Sequence, residues 1–288
     1  MRIIIPVITA AIGTASAANL MINLHTDGTG AVSGAANLTL SPAHASGAIP
    51  ASETTWNNRN TTATTSSLLY SDGSSAAGVT LTFGSESATT ANSIDYSTAA
   101  TINVIAVDGT DSNTAGNITL MGSANSIYGS GTTSSNTAPA RAGWLGNASG
   151  TNDGLGLRID GLEAGVYTIY VLGRNTNSSA TRSTDFFAGA GPLSGAFDYS
   201  TLMASTAANS AVPNTNPTGY DAFIDGENFV SINVTLADGD SLYLASDGNP
   251  TGGELRGFMN MVQIVSVPEP SALLFSLAGG LLAFRRRR

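Results

Sequence analysis

The chain has 288 residues, of which 42% are hydrophobic and only 11% are charged, and it contains 33 glycines but no cysteine. Because cysteine and lysine are both absent, disulfides, thiolate zinc sites, cysteine nucleophiles, P-loop phosphate binding and Schiff-base chemistry are excluded. The formal net charge is −9, and it falls to about −13 when residues 1–18 and 267–288 are left out, which argues against nucleic acid as a partner.

The chain begins with a pattern typical of a secretory signal peptide. One positive charge precedes an apolar stretch over residues 3–12, and Ala15 and Ala17 have the small-residue spacing of a cleavage site. We therefore predict a signal peptide over residues 1–18. The alternative is a buried first strand, but residues 19–24 already fit that strand.

Alternation of apolar and polar residues predicts an all-β body. It is cleanest over 79–83, 231–236 and 241–244. Further strands are predicted over 102–107, 117–121, 155–159, 166–172 and 258–265. No segment between the termini keeps a helical period over three turns. We predict a jelly-roll-like antiparallel β-sandwich in one domain, residues 19–265. The alternative is a division into two domains near residues 123–138, a stretch that also suits a long surface loop.

Residues 155–171 predict a β-hairpin. A strand ends at Asp160 and Gly161, Glu163 to Gly165 supply a tight turn, and an aromatic-rich strand returns. This segment resembles a hairpin that recurs in galactose-binding-like sandwich domains. The resemblance implies a sandwich fold.

Asp-Gly pairs occur eight times, and they predict turns rather than calcium loops. Both residues tolerate positive φ, and no stretch has the D-x-D-x-D-G spacing that brings calcium ligands together. The exception is the crowded segment that contains Asp221, Asp225, Glu227 and Asn228. It is the candidate calcium site of this chain.

Two tryptophans, Trp56 and Trp144, lie in polar contexts outside the alternating runs. An exposed indole ring can stack on the C–H face of a sugar, so Trp56 and Trp144 are the candidates for a sugar-binding platform. Anchoring of both rings in the core explains their positions as well and is the interpretation that we favour.

Catalytic motifs are not supported by their context. Residues 239–242 spell the GDSL letters of a hydrolase family, but both histidines, His25 and His44, lie far upstream and no serine sits in a nucleophile elbow. A pair of carboxylates acting on a glycosidic bond is left open, because its separation depends on the fold. We predict that the protein is not an enzyme.

The chain ends with three parts in fixed order. A Pro-Glu-Pro mark is followed by an uncharged stretch over residues 272–284 and by four arginines. As a helix this stretch reaches only about 20 Å, short of the roughly 30 Å hydrocarbon core. The residues that define the tail are Val267, Pro268, Glu269, Pro270, Arg285, Arg286, Arg287 and Arg288.

This order of parts resembles the PEP-CTERM sorting signal of bacteria, over residues 266–288. The resemblance implies that a membrane-embedded exosortase processes the tail. It implies a protein held for a time at the inner membrane by a short transmembrane helix, with its arginines on the cytoplasmic side, and then delivered to the cell surface or extracellular matrix. An ordinary tail anchor is the alternative.

From these features we predict an exported, exosortase-processed surface protein with a structural or adhesive role. The first alternative is a carbohydrate-binding module that docks to exopolysaccharide, with calcium as a possible cofactor. The second, a glycan hydrolase or lyase, has no motif to support it.

Overall fold

We describe the fold from a computed structural model of the chain, in which the described residues are 18–24, 29–97, 102–105, 139, 143–146, 154–173, 183–205, 211–213, 222–248 and 257–268. The strands within these ranges are β1 (Leu20–Leu24), β2 (Gly30–Val32), β3 (Trp56–Arg59), β4 (Thr80–Glu86), β5 (Ser93–Asp95), β6 (Ile102–Ile105), β7 (Gly143–Gly146), β8 (Leu155–Asp160), β9 (Gly165–Leu172), β10 (Ser183–Pro192), β11 (Ala196–Asp198), β12 (Ala211–Pro213), β13 (Val230–Leu236), β14 (Asp240–Gly248), β15 (Phe258–Met259) and β16 (Met261–Val267). A 3₁₀ helix (Ala36–Thr39) and the helices α1 (Pro42–Ala45) and α2 (Ser200–Ser205) complete the described elements.

The strands form two large sheets and a small one. The first has the order β13-β9-β16-β1-β3-β2 and the second the order β11-β5-β4-β8-β14-β10-β12, while β15, β7 and β6 form the third. Neighbouring strands are antiparallel except β1 and β3, which are parallel. None of the described helices is long and apolar enough to cross a membrane.

The two large sheets face each other across one hydrophobic core. Ile22 and Ile169 of the six-stranded sheet belong to the same buried cluster as Leu81, Leu157 and Leu244 of the seven-stranded sheet. Alternating apolar and polar residues turn one face of a strand to this core, as in β13, where every second residue is buried. Each such Leu or Ile side chain stabilises the fold by about 1.5–3 kcal/mol. The predicted jelly-roll-like β-sandwich is confirmed.

A second layer covers part of the outer face of each sheet. On the six-stranded sheet, Leu38, Ala43 and Ile49 from the helical segment pack with Trp56. On the seven-stranded sheet, the covering layer is a largely aromatic cluster. Its members are Ile94, Tyr96, Phe187, Tyr199, Tyr243 and Ala245. Side chains that alternate outward on these strands are therefore buried as well.

The predicted hairpin over residues 155–171 is wrong in its pairing. β8 pairs with β4 and β14, whereas β9 pairs with β13 and β16 in the other sheet. The short connection between them is an arch that crosses from sheet to sheet. Gly161, with φ +81°, turns the chain there. A hairpin and an arch have the same strand-turn-strand sequence, so alternation does not distinguish them.

The predicted strand over residues 258–265 divides at Asn260. The Asn260 N–H donates to the carbonyl of Leu172, and its carbonyl accepts from the N–H of Leu24, each at 2.8 Å. The part before Asn260, β15, joins the small sheet, and the part after it, β16, becomes a central strand of the six-stranded sheet. The predicted strand over 117–121 and the stretch 123–138 lie outside the described residues, so the one-domain prediction stays a prediction.

Candidate functional site

Neither tryptophan forms a surface platform. Trp56 is fully buried and Trp144 is 1% exposed. The Trp56 indole donates to the carbonyl of Leu38 at 2.8 Å, and the Trp144 ring packs on Phe83 with centroids 4.8 Å apart. The sugar-platform prediction is corrected for both residues, because the outer layer and the small sheet close over the positions that the sequence leaves polar.

The candidate calcium loop is held by its own hydrogen bonds where it is described. The exposed Asp225 carboxylate accepts from the N–H of Ser231 at 3.1 Å and from its hydroxyl. Glu227 is exposed, and the Asn228 side chain bonds the backbone of its own loop. Asp221 lies outside the described residues. Within the described ranges, no group of three or more His, Asp or Glu side chains could hold a metal ion, and calcium at this loop stays a prediction.

The GDSL letters have a structural role. Ser241 is 2% exposed, and its hydroxyl donates to Asp160 at 2.7 Å. The carboxylate of Asp240 accepts the N–H of Ala237 at 2.9 Å and closes the turn before β14. The serine is therefore committed to a carboxylate partner.

A serine and a histidine do meet elsewhere, but inside the protein. The Ser41 hydroxyl lies 2.6 Å from Nδ1 of His44 and also accepts from Gln263 at 2.9 Å. The other ring nitrogen of His44 lies 2.9 Å from the carbonyl of Glu53. Burial lowers the pKa of His44, which favours a neutral ring that donates to Glu53. Since Ser41 has no exposed surface, this network fastens α1 to β16 rather than serving a substrate.

Among the described residues, a surface pocket of about 510 Å³ lies beside the edge of β4. Its lining contains five threonine and serine residues, two aromatic residues and no charged residue. The lining residues are Thr61, Thr62, Ala63, Thr64, Thr82, Phe83, Tyr96 and Ser97. We call it the threonine pocket.

One wall of the threonine pocket is the segment that follows β3. Thr65 and Leu81 exchange two backbone hydrogen bonds, at 3.0 and 2.8 Å, so this segment lies along the free edge of β4. The guanidinium of Arg59 donates to the carbonyl of Ala63 at 2.7 Å. The segment is thus fixed at both ends, and its threonine side chains are held beside the sheet.

The floor of the pocket includes the backbone of β4. Leu81 directs its N–H and C=O to Thr65, away from β8, and antiparallel pairing alternates this direction along the strand. The N–H and C=O of Phe83 therefore face the same edge, between the Thr65 bridge and the pairing of Ser85 with Asp95. A ligand in the pocket meets a backbone donor and a backbone acceptor in addition to the hydroxyls.

The opposite wall is held rigidly. The ring of Tyr96 lies 5.4 Å from the guanidinium carbon of Arg158, and Arg158 is itself held by Asp160 at 3.0 Å. The N–H of Tyr96 donates to the carbonyl of Gly195 at 2.7 Å, and Asp95 accepts both the N–H and the hydroxyl of Ser97. Such pre-ordering reduces the entropy that a ligand loses on binding.

A second cluster of polar residues lies where β4 and β14 end, and it contains Glu86 and Asp247. Glu86 accepts the N–H of Asn92 at 2.8 Å and that of Gly154 at 3.0 Å. The Tyr199 hydroxyl donates to Asp247 at 3.0 Å. Burial, and then the charge of Glu86, raise the pKa of Asp247 to about 6. Burial also raises the pKa of Tyr199, followed by the charges of Asp247 and Glu86.

This raised pKa predicts a pH dependence of stability. The unfolded Asp247 titrates near 3.8, so the folded protein holds the proton more tightly and the free energy of unfolding falls as pH rises from about 4 to above 6. Between pH 4.0 and 7.5 the free energy of unfolding should fall in both proteins, but the fall should be about 1–3 kcal/mol smaller for Asp247→Asn than for the unchanged protein. Urea denaturation at both pH values measures this difference. Equal pH dependence of the two proteins contradicts it.

The sorting tail matches a known motif. Residues 266–288 match the PEP-CTERM protein-sorting motif. Val267 ends β16 with 41% exposure and Pro268 is exposed. The other tail residues and the signal-cleavage residues Ala15 and Ala17 lie outside the described residues. The motif implies an exported surface protein that is anchored at the membrane while exosortase processes its tail.

Comparison with other proteins adds two structures. A CBM35 of Abf62 from Cellvibrio japonicus is 16% identical, with 65% of this chain and 94% of that one covered and a TM-score of 0.26. An exo-beta-1,3-galactanase from Phanerochaete chrysosporium, solved with galactose, is 12% identical, with 43% and 23% covered and a TM-score of 0.23. No curated protein is significantly similar in sequence.

The sequence contains little that would identify the threonine pocket. Its lining comes from three segments, residues 61–64, 82–83 and 96–97, that no spacing rule connects. The run Thr61-Thr62-Ala63-Thr64 is the one local signal. In a chain this rich in threonine it does not stand out.

Proposed function

We propose that this exported protein is a non-enzymatic adhesin that holds neutral glycan chains of the extracellular matrix in the threonine pocket. The observation that carries this proposal is the lining of the pocket, which combines hydroxyl groups with a clamped tyrosine and contains no charge. Its volume falls in the range of about 300–1,000 Å³ that is usual for ligand sites.

The chemistry of the lining matches a sugar. Hydroxyl side chains donate and accept hydrogen bonds, as sugar hydroxyls do, and the backbone of Phe83 offers one group of each kind. An anionic polymer is disfavoured because the body carries six arginines against 19 acidic residues. These features support a neutral exopolysaccharide as the ligand class.

A glycan array with the purified protein tests the proposal, with calcium and without it, since calcium binding is part of the sequence prediction. Binding of at least one neutral glycan is expected. If no glycan is retained in either condition, the proposal fails.

Substitutions locate the binding. Thr82→Val keeps the shape of the side chain and removes one hydroxyl, so we expect the affinity for the retained glycan to fall about tenfold. Ala63→Trp fills the pocket and should abolish binding. Thr80→Val is the matched control, because Thr80 is the preceding outward residue of β4 and does not line the pocket. Calorimetry measures all three, and equal affinities would place the glycan elsewhere.

The non-enzyme proposal has its own test. A hydrolase would need two carboxyl groups around the bond. Glu86 and Asp247 lie close together, and the pKa of Asp247 is raised. Glu86, however, holds two backbone N–H groups, and Tyr199 is fully buried. Turnover of any polysaccharide by the purified protein would overturn the proposal, and its loss in Asp247→Asn would assign the activity to this pair.

A further inference from the structure

The last strand of the body ends at the sorting mark. β16 lies between β1 and β9 in the six-stranded sheet, and its pairing continues to Val267, which faces Val166. Pro268 follows directly. No flexible linker therefore separates the folded body from Pro-Glu-Pro.

Chain length determines how far the body stands from the membrane. Four residues, 268–271, connect β16 to the apolar stretch, and two of them are prolines. Four residues reach at most about 14 Å whatever their conformation, which limits the length of the spacer. The headgroup layer takes up roughly half of this distance. The end of the sandwich is consequently held against the membrane surface while the tail is in place.

We call this end of the body the sorting pole. It comprises the end of β16, the end of β13 and the start of β9, where Leu236 pairs with Gly165. β1 also starts here, since Leu20 pairs with Ile264, so the predicted signal peptide joins the body at the same pole. The loop at Asp72 completes it, because the neighbouring Ser71 donates its N–H to the carbonyl of Asn19.

The exposed charges of the sorting pole are acidic within the described residues. Asp72, Glu163 and Asp238 are exposed there. Of the described arginines, Arg59 ends β3 beside Leu24, at the other end of the sheet, and Arg158 is paired with Asp160. Anionic lipid repels such a surface. Its complementary partner is a basic protein face that lies in the same layer.

We propose that the sorting pole is a docking surface for the exported face of the exosortase, with Glu163 and Asp238 set against a basic patch on that enzyme. An enzyme that reaches Glu269 across so short a spacer must touch the pole, and charge complementarity then raises the rate of productive encounter. The body thus takes part in its own sorting. This inference rests on the motif match and is independent of the glycan proposal.

The test uses the full chain in a host that contains exosortase. Glu163→Lys combined with Asp238→Lys should slow release of the processed body about tenfold or more. Glu269→Ala and a host without exosortase define the unprocessed form. Asp198→Lys, an exposed acid near the opposite end of the sandwich, is the charge control and should be processed like the unchanged chain.

A long spacer separates docking from other causes. Twenty Gly-Ser residues inserted between Val267 and Pro268 extend the spacer by roughly 25 Å on average. In this background the double variant should be processed at the same rate as its own parent. Equal slowing with both spacers, or no slowing with the natural one, overturns the proposal. Thermal unfolding of the released bodies shows that the variants are folded.

Discussion

Replacing Trp56 by alanine should lower the free energy of unfolding by about 3–5 kcal/mol, the usual cost of removing a fully buried tryptophan. The ring has no exposed surface, and it is the largest side chain between the six-stranded sheet and its outer layer, where it contacts the cluster of Leu38, Ala43 and Ile49. Urea denaturation at neutral pH measures the loss.

A milder variant divides this cost into packing and hydrogen bonding. Trp56→Phe keeps an aromatic ring but removes the N–H that donates to Leu38 at 2.8 Å, so it leaves a buried carbonyl without that donor and should cost about 1–3 kcal/mol. If Trp56→Ala instead costs less than 1 kcal/mol, the ring is not part of the core. The sugar-platform interpretation would then return.

The sequence context of Trp56 explains why its burial is hard to predict. Its neighbours Asn57 and Asn58 look like surface residues, yet they are 3% and 1% exposed. The Asn57 amide donates to the carbonyls of Met21 and Leu69 at 3.0 and 2.8 Å. Polar residues whose hydrogen bonds are satisfied by backbone can be buried at low cost, and composition alone does not reveal such partners.

Strand prediction succeeds where alternation has a physical cause. β4, β8, β9, β13 and β14 lie within four residues of their predicted bounds, because one face of each meets the core. Three-residue strands such as β2, β5 and β11 are too short to show a period. These short strands therefore come only from the structure.

β10 is long, but the sequence does not predict it. Its outward face lies under the aromatic layer, where a side chain at Gly189 would come within 3.1 Å of Leu202. Glycine replaces the polar residue that alternation requires, and Phe186 and Phe187 are buried on opposite faces. A strand covered on both faces loses the period-two signal.

The arch between β8 and β9 leads to the second large effect, which compares two glycines with the same backbone angle. Gly161 and Gly239 both have φ +81°, so alanine is strained at each by about 1–2 kcal/mol. A Cβ at Gly239 meets nothing within 4 Å, whereas one at Gly161 would lie 2.1 Å from the carbonyl oxygen of Gly78. Because that oxygen is backbone, the chain itself must move.

We therefore expect Gly161→Ala to cost about 2 kcal/mol or more beyond the cost of Gly239→Ala. Both substitutions change the unfolded chain equally, so their difference isolates the contact between the β8–β9 arch and the loop before β4. Urea denaturation measures it, with equal slopes as the sign that the denatured states match. Equal costs would mean that the arch does not lie against Gly78. The crossing of the chain from one sheet to the other at this arch would then also be wrong. The same crossing brings the start of β9 to the sorting pole, so the comparison also tests the geometry on which the docking proposal depends.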